Sequence, residues 1–169
     1  MLWKKLAVNC VINPLTAIHN VTNGQLLSIN DTNHAEDIMT IMRQILEEVS
    51  LVAMMEMRTL CEETMSMSSS EDGGYDEESS NTLRTQWLLT TTETLSTSSL
   101  EKFVHQVMNS TKDNISSMLQ DVRSGKTTEV RFLNGYVASL GQEKYGIYCP
   151  RNLEMCRLVT RLRPSAAKD

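Results

Sequence analysis

Apolar side chains recur at helical spacing along much of this sequence, and that periodicity limits the folds that the chain can adopt. The pattern is strongest between residues 38 and 49, with apolar side chains at Ile38, Met39, Ile41, Met42, Ile45, Leu46 and Val49. A stripe of this kind covers the core-facing side of a helix. Further helical patterns begin at Leu100, at Thr127 or Thr128 with a stop at Gly146, and at about Asn152. Because no segment alternates apolar and polar residues as a strand does, we predict an all-α fold of five or six helices.

The opening segment, KKLAVNCVINPLTAIHNVTNG, carries polar residues in line on an otherwise apolar helix. Lys5, Asn9 and Asn13 are four residues apart, so they share one helix face. The pair Asn13-Pro14 is typical of a new helix start, because asparagine caps helices and proline is tolerated in the first turn. We therefore predict a helix that is broken at Asn13.

Composition changes between residues 65 and 98, where Ser, Thr, Glu and Gly largely replace the periodic apolar residues. A segment of this composition buries too little apolar surface to offset the entropy of ordering it. We predict a disordered or mobile insertion at about 65–98, between the two halves of a single helical domain that spans 1–169.

Charge and cysteine usage exclude several classes of protein. The net charge is −5 and the pI is about 5.3, without a basic block, so neither nucleic acid nor a membrane surface is an expected partner. The longest apolar run is interrupted by polar residues and is shorter than the roughly 18 residues that span a bilayer. Cys10, Cys61, Cys149 and Cys156 have no zinc-type spacing. We predict an intracellular soluble protein with free, reduced thiols and no metal site.

Two groups of polar residues are candidates for chemistry. A buried lysine or asparagine needs partners, so Lys5, Asn9 and Asn13 are satisfied either by a ligand or by the protein. In the second case Lys5 reaches water, Asn9 bonds to a neighbouring backbone and Asn13 caps a helix. Spacing alone does not decide between these alternatives.

The second group lies in NISSMLQD (114–121) and in the TEV that follows. Ser116, Ser117 and Glu129 could supply a hydroxyl and a carboxylate to the same cleft as Lys5. Alternatively, the serines end one helix and Glu129 complements the positive N-terminus of the next.

Both groups fall within a set of ordered motifs that resembles a known family. KLAVNCVINPLTAI with a following NG, then SSMLQD, then TEV with an NG five residues after Glu129, and a closing P-x-N-x-x-x-x-x-L at Pro150, Asn152 and Leu158 are similar to the C-terminal domain of ketopantoate reductase (2-dehydropantoate 2-reductase). The resemblance covers about 3–55 and 100–162 and leaves out the Ser/Thr-rich insertion. It implies a helical fold of the 6-phosphogluconate dehydrogenase C-terminal type.

The resemblance also implies an activity and roles for particular residues. In that family, NADPH held by an N-terminal Rossmann domain reduces 2-dehydropantoate to pantoate, for pantothenate and coenzyme A biosynthesis. Lys5 matches the lysine that protonates the carbonyl oxygen, and Glu129 matches a glutamate that assists near it. The substrate-binding positions of the family match Asn9, Asn13, Asn23 and Ser117.

One part of the family's pattern is absent from the sequence. Its seven glycines form no GxGxxG, so we expect this chain to lack the Rossmann domain, to bind no NADP by itself and to hold at most half of a catalytic site. One alternative is a non-catalytic helical interaction or dimerisation protein, and another is a related reductase of a different 2-oxo acid. We expect a cytoplasmic location, with a mitochondrial location and a homodimer left open.

Overall fold

The computed structural model describes residues 2–29, 37–68 and 77–162. Within these ranges the chain is helical and contains no β-strand. The α-helices are α1 (Leu2–His19), α2 (Ile38–Ser68), α3 (Glu77–Leu95), α4 (Thr97–Ser110), α5 (Ser117–Arg123), α6 (Asn134–Tyr145) and α7 (Pro150–Arg161). Two 3-10 helices, η1 (Gly24–Ser28) and η2 (Glu129–Phe132), lie between them. The predicted all-α fold is confirmed, with more helices than the five or six expected.

Helix α1 lies at the centre of the domain. Its residues Ala7, Cys10 and Val11 are fully buried, and it packs against α2, α4, α5 and α7. Near its C-terminal end, Ala17 joins a second buried cluster with Met118, Leu119, Val130 and Val159. The helix that carries the first group of candidate residues is therefore held by most of the fold.

The prediction that this helix breaks at Asn13 is wrong, because α1 continues through Pro14 to His19. Proline has no backbone N–H, so the carbonyl of Cys10, four residues earlier, loses its helical donor. The Asn134 side chain replaces that donor, with Nδ2 2.9 Å from the Cys10 carbonyl oxygen. A donor distant in sequence thus allows the helix to continue.

The other sequence patterns match the structure more closely. The predicted α2 stripe is buried at Ile38, Met42, Ile45, Leu46 and Val49, whereas Met39 remains 44% exposed. The helix expected from Thr127 or Thr128 is divided into η2 and α6. Helix α6 ends, as predicted, at Gly146, whose φ of +66° is the left-handed conformation that favours glycine.

The expectation of disorder at 65–98 is corrected for its described residues; residues 69–76 lie outside the described part of the chain. Helix α2 continues to Ser68, and α3 occupies Glu77–Leu95. Leu83, Trp87 and Thr90 of α3 face the C-terminal half of α2, at the spacing of one helix face. Threonine hydroxyls of α3 donate to carbonyls four residues earlier, which satisfies them inside a helix. The predominance of Ser and Thr concealed this helical spacing.

A buried polar network connects four helices. Besides binding Cys10, Asn134 Nδ2 donates to Asn152 Oδ1 at 3.0 Å, and both asparagines are fully buried. Asn152 Nδ2 donates to Glu48 Oε2 at 2.7 Å and more weakly to the Ile45 carbonyl at 3.4 Å. The Glu48 carboxylate also accepts the backbone N–H groups of residues 151 and 152 at the start of α7. Helices α1, α6, α7 and α2 are therefore joined by hydrogen bonds as well as by apolar packing.

Two glycines provide a matched test of this packing. A Cβ at Gly24 would lie 2.6 Å from Lys112 Cβ and 3.0 Å from its Cα, so the backbone would have to shift. A Cβ at Gly135 of α6 would meet Sγ of Cys156 on α7 at 3.5 Å, an ordinary van der Waals contact. We expect Gly24→Ala to lower the free energy of unfolding by roughly 1–3 kcal/mol. Gly135→Ala should leave it unchanged or raise it by up to about 1 kcal/mol.

Urea unfolding followed by circular dichroism measures both values. Equal stability of the two variants would contradict the close approach of Gly24 to Lys112.

Candidate active site

The polar residues of α1 form a stripe along its surface, which we call the α1 stripe and define as Lys5, Asn9 and Asn13. Successive members are about 40° apart around the helix axis. Lys5 is exposed, and Asn9 and Asn13 are half-buried. Among the described residues, none of the three side chains has a hydrogen bond or an ion pair. Asn13 lies inside α1 and is not a helix cap, and the described residues do not supply the backbone partner that the structural alternative gives to Asn9.

The neighbouring lysine behaves differently. Lys4 is half-buried, and its ammonium lies 5.5 Å from the centroid of the Phe103 ring, within the range of a cation–π interaction. Two successive lysines thus point in different directions, one toward an aromatic ring of α4 and one toward solvent beside the asparagines.

Two adjacent serines at the start of α5 also have different environments. Ser116 is buried, its Oγ lies 2.6 Å from Thr16 Oγ1, and it accepts the N–H of Leu119 at 3.2 Å as the N-cap of α5. Ser117 is exposed, and its hydroxyl has no partner among the described residues. Because Thr16 follows Asn13 by three residues on α1, this contact fixes the start of α5 beyond the end of the α1 stripe. Ser116 is structural, and Ser117 is the serine available to a ligand.

Glu129 is the first residue of η2 and is exposed. Its neighbour Val130 is 1% exposed and packs in the cluster that contains Ala17 of α1. The carboxylate does not form an ion pair with Lys5 or with any other cation among the described residues. The packing of the neighbouring Val130 therefore holds Glu129 near the C-terminal half of α1. The Glu129 side chain itself has no partner among the described residues.

Asn23 differs from the other candidates because it is buried, with 7% of its surface exposed. Its Nδ2 donates to Thr111 Oγ1 at 2.9 Å, and its backbone N–H donates to the Asn114 carbonyl at 3.0 Å. Its Oδ1 is buried without a donor among the described residues. The Asn23 amide holds the α4–α5 connection, and its role in binding substrate stays a prediction.

The α1 stripe is an open surface rather than an enclosed cavity. Three surface pockets of about 420, 500 and 760 Å³ lie elsewhere on the described part of the molecule. The smallest contains Thr128, Val130 and Arg131 and lies beside Glu129, whereas none of the three is lined by Lys5, Asn9 or Asn13. These three pockets therefore do not include the α1 stripe.

The cysteines do not add a reactive group. All four are free. Burial, with a smaller contribution from Cys156, raises the pKa of the Cys10 thiol far above its usual range, and burial raises the pKa of Cys149 to about 11. These thiols are neutral and poorly nucleophilic at physiological pH. The described residues also contain no group of three His, Cys, Asp or Glu side chains that could hold a metal ion.

Known proteins with similar sequences belong to one family. The sequence model described as "Ketopantoate reductase PanE/ApbA C terminal" matches residues 1–163. The 2-dehydropantoate 2-reductase of Shigella flexneri is 36% identical over 160 residues, which are 95% of this chain and 38% of that protein. The chain thus spans about two fifths of the length of such curated relatives.

Two solved structures share the fold. The PanE/ApbA family ketopantoate reductase from Ralstonia eutropha gives a TM-score of 0.59 at 23% identity, covering 95% of this chain and 40% of that one. D-mandelate dehydrogenase, solved with NADH and anilino(oxo)acetate, gives 0.52 at 18% identity, covering 94% and 39%.

The fold defines the class first, an all-α domain. The family follows from the sequence match: the chain belongs to the ketopantoate reductase PanE/ApbA family and corresponds to its C-terminal domain. The match runs through the Ser/Thr-rich segment that the resemblance left out. No helix in the described part of the chain is long and apolar enough to cross a membrane.

The two serines allow structural and functional roles to be separated. We expect Ser116→Ala to lower the free energy of unfolding by roughly 1–3 kcal/mol, because it removes an N-cap and leaves the buried Thr16 hydroxyl with one partner fewer. Ser117→Ala should change it by less than about 0.5 kcal/mol, because the hydroxyl is exposed and unpaired. Chemical denaturation of the two variants checks this, and a larger loss for Ser117→Ala would contradict the assignment.

Proposed function

We propose that this chain is the substrate-binding half of an NADPH-dependent 2-dehydropantoate 2-reductase, which reduces 2-dehydropantoate to pantoate. The observation that carries the proposal is the α1 stripe. The buried asparagines of the core, Asn134 and Asn152, bind one another and the backbone. Asn9 and Asn13, on the same helix face as Lys5, have no side-chain partner in the described part of the chain. Because Asn9 and Asn13 are only half-buried, their amide donors and acceptors are accessible to a ligand.

The chemistry of a ketone reduction matches these side chains. When hydride reaches the carbonyl carbon, negative charge develops on the oxygen, and a positioned proton donor lowers the barrier. Lys5 is the donor, with an ammonium that reaches the carbonyl oxygen from the solvent-facing end of the stripe. Asn9 and Asn13 provide N–H donors and carbonyl acceptors that fix the orientation of the substrate.

The remaining candidates complete the recognition of a 2-oxo acid. The free Ser117 hydroxyl donates to the carboxylate of the substrate. Glu129 accepts a hydrogen bond from the Lys5 ammonium, which orients the lysine, or from a substrate hydroxyl. Asn23 contributes through its unpaired Oδ1 if the turn at residues 21–24 contacts the substrate.

The chain does not fit NADPH by itself. No GxGxxG occurs in the sequence, and we assign no cofactor-binding residue to the chain. The hydride is supplied by a Rossmann domain in cis or in trans, which also provides the second wall of the site.

Kinetics of the assembled enzyme test the role of Lys5. The chain is joined to the NADP-binding domain of a related 2-dehydropantoate 2-reductase, and the loss of NADPH absorbance is followed with 2-dehydropantoate as substrate. Lys5→Ala should lower kcat by roughly 10²–10⁴-fold, because the developing alkoxide loses its proton donor. Lys4→Ala is the control, since it removes the adjacent charge, which faces Phe103, and should keep kcat near the parent value.

Normal turnover by the Lys5→Ala enzyme would contradict the role assigned to Lys5. If the enzyme reduces another 2-oxo acid faster than 2-dehydropantoate, the proposed reaction class stands and the proposed substrate is wrong.

A second candidate function, self-association, is favoured by the surface between α2 and α3. A groove of about 500 Å³ there is lined by Leu60, Leu83 and Trp87 among others, and Leu60 and Leu83 are 42% and 57% exposed. Exposed apolar surface of this kind is typical of protein interfaces. In the dimerisation alternative, a second copy of the chain occupies this groove.

Sedimentation of the chain tests this candidate. If two copies meet at the groove, Leu83→Glu should convert a dimer into a monomer, because a charge would be buried at the interface. Thr92→Glu, nine residues later and about 180° around α3, is the matched control and should leave the dimer intact. A monomeric parent chain, or equal behaviour of the two variants, would exclude self-association through this groove.

A further inference from the structure

The hydrogen bond between Asn134 and Cys10 joins two distant parts of the proposed site. Pro14 removes the donor that the Cys10 carbonyl would have in a regular helix, and Asn134 Nδ2 occupies its place at 2.9 Å. Cys10 follows Asn9 of the α1 stripe and is fully buried, as is Asn134. The two residues are 124 positions apart in sequence.

Asn134 lies directly beyond the turn that carries Glu129. The N–H of Leu133 donates to the Glu129 carbonyl at 3.2 Å and to the Val130 carbonyl at 3.3 Å, which closes η2. The next residue is Asn134, the first residue of α6. A displacement of Asn134 relative to α1 would therefore move η2 and Glu129 with it.

The Asn134 amide is fixed from its other side as well. Its Nδ2 also donates to Asn152 Oδ1 at 3.0 Å, and Asn152 is held in turn by Glu48 Oε2 at 2.7 Å. The amide therefore has one orientation in which both Nδ2 hydrogens are used.

We propose that Asn134 is a positioning residue, which holds Glu129 at a fixed place relative to Lys5 and Asn9; this inference rests on the proposed function. An alanine at position 14 would satisfy the Cys10 carbonyl locally, without a buried amide. The pairing of Pro14 with Asn134 replaces that local bond with one that links the two groups of site residues. It does so although Asn134 Oδ1 is buried without a donor among the described residues, which is unfavourable for stability alone.

The freed carbonyl provides a rescue experiment in the 169-residue chain. Asn134→Ala should raise the unfolding equilibrium constant roughly 5- to 150-fold, because buried polar groups lose their partner. In a Pro14→Ala background the N–H of residue 14 can donate to the Cys10 carbonyl. In the Pro14→Ala background, the factor by which Asn134→Ala raises the unfolding equilibrium constant should be smaller by about fivefold or more. Asn109→Ala, the same change at an exposed position of α4, is the control and should cost nearly nothing in either background.

Equal costs of Asn134→Ala in the two backgrounds would overturn the link between Asn134 and the carbonyl freed by Pro14. If Asn134→Ala alone does not fold, the double variant is compared directly with the Pro14→Ala chain.

Hydrogen exchange separates positioning from stability alone. In the double variant the Leu133 amide should exchange at least about tenfold faster than in the Pro14→Ala chain, because η2 then keeps only the packing of Val130 near Ala17 to hold it against α1. The Lys126 amide, which donates to the Asp121 carbonyl at 2.8 Å, reports the α5 region and should not change. Unchanged protection of Leu133 would show that Asn134 only satisfies a carbonyl, and would overturn the proposal.

Binding of 2-dehydropantoate to the same variants tests the dependence on the proposed function. If the parent chain binds it, the double variant should bind at least about tenfold more weakly than the Pro14→Ala chain; equal affinity would overturn the positioning role. If the isolated chain does not bind it, the same comparison is made with the variants joined to an NADP-binding Rossmann domain. Failure of the joined parent chain to bind would contradict the proposed binding site, and the Leu133 exchange rate would still decide whether Asn134 positions η2.

Discussion

The structure depends most on a hydrogen bond that helix α1 cannot make for itself. Pro14 leaves the Cys10 carbonyl without a helical donor in the centre of the domain, where an unpaired carbonyl is costly. Asn134 satisfies it at 2.9 Å and is held by Asn152 and Glu48. Because these groups lie on α6, α7 and α2, the position of α1 is set relative to three helices at once.

The α1 stripe lies outside this network. Asn9 and Asn13 are only half-buried, so stability does not require their side chains to bind any part of the described chain. The exposed face of α1 is thereby free to bind a ligand, next to an ammonium at Lys5. Ser116 shows the same division on α5, since it binds Thr16 while its neighbour Ser117 remains available.

Periodicity and motifs predicted the fold class, the core face of α2 and the family, because each is recorded in local spacing. The continuity of α1 through Pro14 could not be predicted that way, since its donor is 124 residues distant. Helix α3 was missed because the face that it turns toward α2 has few apolar side chains. Leu83, Trp87 and Thr90 mark that face, and many Ser and Thr residues surround them in the sequence. The motifs around Asn134 and Asn152 were visible in the sequence, but their burial and mutual hydrogen bond became apparent only in three dimensions.

In the proposed function Asn9 and Asn13 contact the substrate, so the NMR signals of their side-chain amides should report substrate binding directly. The ¹⁵N-labelled chain, joined to an NADP-binding Rossmann domain, is titrated with 2-dehydropantoate. We expect the side-chain amide signals of Asn9 and Asn13 to shift and saturate, while that of Asn109 on α4 does not move. Saturable binding that leaves the Asn9 and Asn13 amides unchanged would contradict this contact.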